Sequence, residues 1–270
     1  MTNTNSYLRK LVVTKPLGEP AYRLVIHTLR LPQGSRGLDA GCGIGYLALL
    51  LAEAVGPAGH VTGIDLSPEF LGKAREIAKK AGMAEQVFFQ EADVSNLPFE
   101  DNTFDWVWSA NCVGYAPGEP LPQIKELARV VKPGGSVIIL AWSSQQLLPG
   151  YPLLEAGLNA TSSGIAPFVE GMRPELHFSR MLGWFRRAGL ERTSAQTFAG
   201  SVHAPLSDEI RNAMMALLEM RWVDVEAELS HEEWIEFQRL CLPDSPDFIL
   251  NNPDYYAFFT YSLFRGRVTR

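Results

Sequence analysis

The sequence predicts an α/β protein with a mostly parallel sheet and helices on both faces. Between residue 34 and about residue 142, short apolar segments alternate with segments whose apolar residues recur at helical spacing. The alternation repeats about every 25 residues, as in strand–helix–strand units with right-handed crossovers. The 270 residues are 46% hydrophobic and 20% charged, a composition that is typical of globular proteins and excludes a disordered chain.

Five strands are predicted in this first part of the chain, at residues 37–40, 61–65, 87–92, 104–109 and 137–142. Helices are predicted between them, at residues 45–55, 68–82 and 121–131. The helix at 68–82 has the clearest ends. Ser67 is typical of an N-cap, Pro68 of the first helical position, and Gly82 of the position that follows a helix.

After residue 142 the pattern changes. Residues 143–174 are rich in Gly, Pro, Ser and Leu, which predicts a long connection or a partly helical cap. Ser207 is expected to begin one late helix, and Ser230 with Glu233 forms a capping box for another. The other late elements are a helix at 177–188, a strand at 190–198, two helices within 205–243 and a last strand at 255–265.

Charge and cysteine content exclude several classes of function. The chain has 24 basic and 30 acidic residues, a net charge of −6, so we expect neither nucleic acid nor an anionic membrane surface as its partner. Three cysteines without a Cys-x-x-Cys pair predict a reduced protein without a zinc site. No apolar run is long enough to span a bilayer, and the first ten residues lack the apolar core of a secretory signal. We therefore expect a cytoplasmic location.

The strongest local signal is Gly37-Leu-Asp-Ala-Gly-Cys-Gly-Ile-Gly45, where a predicted strand meets a predicted helix. Glycines at positions 41, 43 and 45 allow a sharp turn and let a ligand approach main-chain N–H groups. A dinucleotide-binding fingerprint would need its third glycine at position 46, where Tyr46 stands. By itself the pattern fits a ligand-binding turn or a tight structural turn.

Two acidic residues follow at the ends of the next two predicted strands. Asp65 lies 20 residues after Gly45, where an acid can accept hydrogen bonds from both ribose hydroxyls of an adenosine. Asp93 can reach an adenine amino group from the end of the third strand, although a loop or capping aspartate is the other interpretation. A glycine-rich turn and two acids at consecutive strand ends favour a bound adenosyl ligand.

These residues carry a resemblance to a known family. Together they resemble the class I S-adenosylmethionine-dependent methyltransferases, through Leu38-Asp-Ala-Gly-Cys-Gly-Ile-Gly45, Gly63-Ile-Asp-Leu-Ser-Pro68, Glu91-Ala-Asp-Val94, Leu97-Pro-Phe99, Phe104-Asp-Trp106 and Lys132-Pro-Gly-Gly135. The chain looks most like the group that acts on small molecules and quinone-type acceptors. The resemblance is close over residues 37–142 and only architectural elsewhere.

The resemblance implies a Rossmann-like, doubly wound, mostly parallel sheet of seven strands with an antiparallel last strand. A helical cap is inserted late in the chain. We therefore expect a single methyltransferase domain over residues 1–270. Its core would comprise residues 34–142, 175–204 and 255–266, with cap insertions at about 143–174 and 205–254.

The resemblance also implies which residues hold S-adenosylmethionine, with S-adenosylhomocysteine as the product. The methionine part would be surrounded by Asp39, Gly41, Cys42 and Gly43. Asp65 would hold the ribose, and the adenine would meet Leu66, Asp93 and Val94. The floor near the sulfonium would be formed by Ser109, Ala110 and Asn111. Tyr22 either closes over the cofactor carboxylate or packs against the sheet edge.

Methyl transfer is an in-line displacement, so the protein acts chiefly by positioning the acceptor and excluding water. A hydroxyl or amine acceptor also needs its proton removed. His203 is the best candidate for this base, against a surface or core histidine as the other interpretation. His27, His177 and His231 are expected to be structural, and no metal site is predicted.

Acceptor specificity is expected to lie in the pocket wall and the cap. Cys112, Tyr115 and Trp142 are candidates for that wall, either orienting the substrate or only enclosing it. Six late aromatic residues are expected to be mostly core, with a minority lining an apolar acceptor chamber: Trp184, Phe185, Trp222, Trp234, Phe258 and Phe259. Residues 206–254 hold twelve acidic and three basic residues. They either attract a cationic acceptor or form a solvated helical face.

The favoured function is a methyltransferase for a small, apolar or aromatic acceptor, with the oligomeric state left open. A catalytically idle subunit that binds S-adenosylmethionine is the alternative. An oxidoreductase or epimerase is disfavoured by Tyr46 and Asp93. A nucleic-acid methyltransferase is disfavoured by the missing basic stripe, and because residues 109–113 stand where amino-methylating enzymes on DNA carry Asn/Asp-Pro-Pro-Tyr/Phe.

Overall fold

The protein is built on a seven-stranded sheet, seen in a computed structural model that describes residues 2–115, 119–169 and 171–269. The strands are β1 (Arg36–Ala40), β2 (His60–Asp65), β3 (Val87–Glu91), β4 (Phe104–Ala110), β5 (Val131–Gln146), β6 (Glu191–His203) and β7 (Tyr256–Arg267). The helices are α1 (Thr2–Leu29), α2 (Tyr46–Val55), α3 (Pro68–Lys80), α4 (Pro120–Arg129), α5 (Pro152–Ala160), α6 (Met181–Arg187), α7 (Asp208–Arg221) and α8 (His231–Cys241).

The strand order is β3-β2-β1-β4-β5-β7-β6, with β1 to β5 paired in parallel. The last strand of the chain, β7, lies between β5 and β6 and is antiparallel. Its end is fixed by two bonds, from the N–H of Gly134 to the Val268 carbonyl (2.7 Å) and from the N–H of Val268 to the Gly135 carbonyl (3.0 Å). The predicted fold class is therefore confirmed.

One aromatic side chain explains how β1 is held against β4. A Cβ atom at Gly37 would overlap the Trp106 ring, so only glycine lets β4 approach here. The Trp106 indole N–H donates to the Ser35 hydroxyl at 2.9 Å. On the opposite face, Leu38 belongs to a buried cluster that includes Met181 and Phe185 of α6.

Local capping signals predict the helix starts well. The Ser67 hydroxyl accepts the N–H of Phe70 at 3.2 Å, and Pro68 begins α3. Ser207 caps α7, and Ser230 with Glu233 forms the predicted capping box on α8. Each of these signals lies within four residues of the bond that it makes, so it acts without help from the rest of the fold.

The predicted boundaries differ from the structure at two late elements. The helix expected over 177–188 begins only at Met181, because the His177 side chain accepts the N–H of Ser179 and holds short 3₁₀ turns before it. The strand expected over 190–198 continues to His203. Pairing with β7 extends it past the local apolar pattern.

The chain forms two compact units. Unit 1 consists of Met1–Ala21, Ser143–Gly171 and Ala199–Thr260, and unit 2 of Tyr22–Trp142, Met172–Phe198 and Tyr261–Arg270. Unit 1 takes in the predicted cap insertion at 205–254 and most of the one at 143–174, together with the N-terminal helical residues. A single domain over residues 1–270 stays a prediction. Among the described residues, no helix has both the length and the apolar character needed to cross a membrane.

Within unit 1, one buried carboxyl organises the chain after β5. Glu155 on α5 is only 4% exposed and accepts the N–H groups of Leu147 (2.6 Å) and Leu148 (2.9 Å). The Tyr255 hydroxyl donates to the Leu147 carbonyl at 3.0 Å. Both polar groups of the Leu147 backbone are thus satisfied by side chains where the strand ends.

Candidate functional site

The turn between β1 and α2 has the backbone that its glycines predict. Gly41, Gly43 and Gly45 have φ angles of 79°, 53° and 74°, in the left-handed region. A Cβ atom would strike the Cys112 side chain at Gly41 and the Phe89 ring at Gly45. At Gly43 a Cβ would meet nothing within 4 Å. The middle of the turn therefore presents open backbone that a ligand can approach.

Asp65, at the end of β2, is bonded to this turn. Its carboxylate accepts the N–H of Gly43 at 2.9 Å and the N–H of Ser67 at 3.0 Å. Each bond engages a different oxygen, so lone pairs remain on both for a ligand hydroxyl. The sequence predicted the carboxylate at this strand end, and the structure places it against the glycine turn.

Asp39, on β1, has the most perturbed carboxyl of this group. It is 1% exposed, and its Oδ2 has no hydrogen-bond partner among the described residues. Burial, followed by the negative charge of Asp65, raises the pKa of Asp39 to about 8. A positively charged group placed beside these two carboxyls would favour their ionised forms.

A second buried polar atom lies on the same face of the sheet. Trp108 of β4 is the register partner of Asp39, so the two side chains leave the sheet on one side. Trp108 is fully buried, and its indole nitrogen also has no partner in the described part of the chain. Sequence reasoning missed Trp108, because only the β1–β4 register brings it beside Asp39.

The ends of β2 and β3 carry the residues expected to meet an adenine. Leu66 is 65% exposed, so its side chain is open to a ligand. The Asp93 carboxylate is exposed and accepts the N–H of Ser95 at 2.7 Å, and Val94 beside it is buried. The N–H of Ala92 bonds to the Asp65 carbonyl at 3.2 Å, which joins the two strand ends.

The segment after β4 closes the site on its other side. The Ser109 hydroxyl donates to the Ala40 carbonyl at 2.8 Å and accepts the N–H of Val113 at 3.2 Å. Asn111 has a φ of 48°, and its side-chain oxygen accepts the N–H of Trp142 at 2.7 Å. Ser109 is thus engaged in holding the loop, while Asn111 connects the ends of β4 and β5.

The two cysteines near the glycine turn are unreactive thiols. Burial raises the pKa of Cys112 to about 11, and the charge of Asp65 adds to this effect. Burial also raises the pKa of Cys42, with Asp39 and Asp65 as further causes. Both groups are neutral at neutral pH, so neither supplies the thiolate that a covalent mechanism needs.

Aromatic side chains of unit 2 gather at the first residue of α2. The Tyr22 and Tyr261 rings are 4.9 Å apart, and a hydrogen bond joins their hydroxyls. The Trp142 ring stands edge-on to Tyr261 at 5.3 Å, and the Tyr46 ring is 6.5 Å from Tyr22. We call Tyr22, Tyr46, Trp142 and Tyr261 the aromatic cluster. Tyr46 directly follows Gly45, so the cluster borders the glycine turn.

Sequence reasoning named Tyr22 and Trp142 but missed Tyr46 and Tyr261. Tyr46 was weighed only as a departure from the dinucleotide fingerprint, and Tyr261 comes from the last strand of the chain. Tyr115, also a predicted pocket residue, has its ring 5.8 Å from Phe178. Of the six late aromatic residues, four are buried core residues as expected: Trp184, Phe185, Trp222 and Phe259.

His203, the predicted base, lies at the end of β6 in unit 1 and is exposed. Its Nδ1 is 2.8 Å from the Ala204 carbonyl. Because a carbonyl oxygen only accepts, Nδ1 donates the proton of this hydrogen bond. His177 is committed to its turn before α6. Within the described ranges, no group of three or more His, Cys, Asp or Glu residues is arranged to hold a metal ion.

Comparison with known proteins shows what part of the chain is similar to. Residues 38–135 match the model of a methyltransferase domain. A solved S-adenosylmethionine-dependent methyltransferase from Aquifex aeolicus is 25% identical, with a TM-score of 0.53 over 70% of this chain and 89% of that one. These matches support the predicted resemblance of this part of the chain to the class I S-adenosylmethionine-dependent methyltransferases.

Other proteins similar to this chain agree. Demethylmenaquinone methyltransferases of Staphylococcus aureus are 39% identical over 132 residues, which are 49% of this chain and 53% of theirs. The chain therefore spans about half the length of the curated relatives it matches. The YcgJ protein of Bacillus subtilis shares the fold, with a TM-score of 0.57 and 19% identity over 93% of this chain and 99% of that one. S-adenosylmethionine is the cofactor that the family implies.

Proposed function

We propose that this methyltransferase moves the methyl group of S-adenosylmethionine to a small, apolar or aromatic acceptor. The observation that carries the proposal is the pair of carboxyls at the glycine turn. Asp39 has a buried oxygen without a partner among the described residues, and Asp65 raises its pKa. Such a pair fits a ligand with an ammonium and a sulfonium, and disfavours an anionic dinucleotide.

The same residues would hold the rest of the cofactor. Asp39 would accept the ammonium, with the open backbone at Gly43 and its neighbours Gly41 and Cys42 around the methionine part. Asp65 would accept the ribose hydroxyls. The adenine would lie between Leu66 and the Asp93–Val94 pair, and the loop residues Ser109, Ala110 and Asn111 would lie under the sulfonium. The bound cofactor supplies an electrophilic methyl group on a good leaving group.

The aromatic cluster supports an aromatic acceptor. Its rings offer apolar faces, and the hydroxyls of Tyr22 and Tyr261 offer polar contacts beside them. Cys112, Tyr115 and Trp142 would form the adjoining wall. The 39% identical relatives are demethylmenaquinone methyltransferases, which makes a quinone-type ring a member of the acceptor class that we propose. We further propose that the enzyme works in the cytoplasm, as one domain.

Calorimetry with S-adenosylhomocysteine, and with NAD as the control, tests the cofactor. We expect binding of S-adenosylhomocysteine at micromolar concentration and none of NAD. Asp39→Asn should weaken binding of S-adenosylmethionine, because the amide cannot balance the ammonium. Equal affinity for both ligands, or an unchanged affinity in Asp39→Asn, would contradict the assignment.

Turnover with a panel of quinols, phenols and amines then tests the reaction. Formation of S-adenosylhomocysteine that depends on an aromatic acceptor is the expected result. An idle subunit would bind the cofactor without turnover on any acceptor, but no observation favours that alternative.

His203 would take a proton from a hydroxyl acceptor through its free Nε2. His203→Ala should therefore lower the turnover number and leave the affinity for S-adenosylhomocysteine unchanged. His231→Ala is a matched control, since His231 is an exposed histidine of the same unit. Full activity in His203→Ala would assign the proton to another group or to an acceptor that is already ionised.

A further inference from the structure

A recess on unit 2 stands apart from the residues assigned to the cofactor and the acceptor. It has a volume of about 510 Å³ and is lined by residues between Glu175 and Arg187. This volume is in the range of small-molecule sites, about 300–1,000 Å³. Three arginines line it, namely Arg180, Arg186 and Arg187, against the single acid Glu175. The recess is thus positively charged in a chain whose net charge is −6.

The three arginines are exposed, and none of them forms an ion pair within the described residues. Some arginines elsewhere in the chain are paired, as Arg129 is with Asp101 and Glu126, and Arg239 with Glu236. Arginine presents a planar set of N–H donors that matches the oxygens of a phosphate. Three unpaired guanidinium groups around one concavity therefore form an anion-binding surface.

Helix stability does not explain this arrangement. Arg180 is the N-cap residue of α6, where the helix dipole disfavours a positive charge. Gly183 lies inside the same helix, where glycine is less stable than alanine. A Cβ atom at Gly183 would meet nothing within 4 Å, so packing does not require glycine there. Arg180 keeps the recess positive and Gly183 keeps it open, although each of them makes α6 less stable.

One wall residue of the recess lies close to the segment that follows β4. Trp184 forms part of its wall and is otherwise buried. A Cβ atom at Gly114 would lie 3.1 Å from the Trp184 ring and 2.7 Å from the Met181 methyl group. Trp184 thus lines the recess and also lies close to Gly114 in the loop after β4.

We propose that this recess is a binding site for a phosphate-bearing anion, held by Arg180, Arg186 and Arg187. The phosphate belongs either to a free metabolite or to the headgroup of an anionic lipid, since both present the same oxygens. The site goes beyond the proposed methyl transfer and does not depend on it.

The full chain is tested in two arms. In the first, calorimetry measures binding of glycerol 3-phosphate at a fixed ionic strength of about 0.1 M. In the second, the protein is sedimented with vesicles of phosphatidylcholine alone, or of phosphatidylcholine and phosphatidylglycerol in equal parts. Each arm compares the wild type with Arg186→Gln/Arg187→Gln and with Lys79→Gln/Lys80→Gln. The lysine pair is the matched control, because it is an exposed basic pair in the last turn of α3.

We expect the arginine variant to weaken binding by about tenfold or more, the effect of losing a charged hydrogen bond, and the lysine variant to bind like the wild type. Binding of glycerol 3-phosphate identifies a free metabolite as the ligand. Binding only to vesicles with phosphatidylglycerol identifies a lipid headgroup. Equal losses in the two double variants, or no wild-type binding in either arm, would overturn the proposal. An unchanged affinity for S-adenosylhomocysteine shows that each variant is folded.

Discussion

The carboxyl of Asp39 gives the protein a pH dependence whose direction can be stated in advance. Its folded-state pKa is about 8, raised by burial and then by Asp65. A carboxyl in an unfolded chain titrates near pH 4. Because the folded pKa is the higher one, the stabilisation is complete below about pH 4 and is lost as the pH rises through about 8.

The free energy of unfolding of the cofactor-free protein should therefore carry a contribution from Asp39 that falls between about pH 4 and pH 8, by an amount on the order of a few kcal/mol. Urea unfolding at several pH values measures this fall. Asp39→Asn should remove most of it, since the amide does not titrate, whereas Glu76→Gln on the exposed face of α3 should not. If the free energy of unfolding of Asp39→Asn fell with pH as steeply as that of the wild type, this would contradict the raised pKa of Asp39.

Asp65 makes a separate prediction for the cofactor. Asp65→Ala should weaken S-adenosylmethionine binding by about 1.5–3 kcal/mol, the usual contribution of hydrogen bonds to a charged group. It also removes the acceptor for the N–H of Gly43, so the turn itself loosens. Asp65→Asn keeps one acceptor oxygen and should lose less affinity. Equal binding by wild type and Asp65→Ala in calorimetry would exclude the ribose role.

The sequence could predict the acids of the site but not their neighbours. Asp39, Asp65 and Asp93 stand in recognisable motifs, at strand ends that a parallel sheet brings to one edge. Trp108 and Tyr261 reach the same region through strand pairing and ring contacts between distant segments. A single sequence carries no local signal for such contacts.

Among the elements, the junction of β5 and α5 depends on one side chain. Glu155 satisfies the N–H groups of Leu147 and Leu148 in a buried position. Glu155→Ala should cost about 1–3 kcal/mol for each amide left without a partner, a loss seen as a lower urea midpoint. Glu155→Gln keeps one acceptor oxygen, so its urea midpoint should lie between those of the wild type and Glu155→Ala. A midpoint in Glu155→Ala equal to the wild type would mean that water replaces the carboxylate.

Helices whose ends are marked by local capping residues are predicted best. Strands whose ends depend on pairing with distant segments are predicted worst. The starts of α3 and α8 follow from Ser67 and Ser230, whose bonds close within the first helical turn. By contrast, β5 begins at Val131, six residues before the predicted start at 137. Its first part contains Pro133 and two glycines, which favour a turn locally, and Gly134 has a φ of 82°. Hydrogen bonds to Val268 and pairing with β4 hold this part in the sheet.

Across the whole molecule, acidic residues are concentrated in residues 206–254, where they could either attract a cationic acceptor or simply face solvent. Ten of the twelve acidic residues in 206–254 are exposed. This exposure supports a solvated helical face over a surface that attracts a cationic acceptor. Glu226→Gln/Asp244→Asn should therefore change the KM of a cationic amine acceptor by less than about twofold, because exposed charges are screened. A rise in KM for amines with no change for neutral phenols would show that the acids attract the acceptor.

The position of β7 between β5 and β6 has a consequence for the order in which the chain can fold. Within the sheet, β6 is bonded only to β7, which is made more than fifty residues later. As the chain leaves the ribosome, the thirteen residues of β6 remain unpaired until β7 has been synthesised. From Thr193 to Val202 the unpaired strand has no charged residue and no proline that would discourage pairing with other chains. Synthesis of β7 is therefore the step that protects the nascent chain from aggregation through β6.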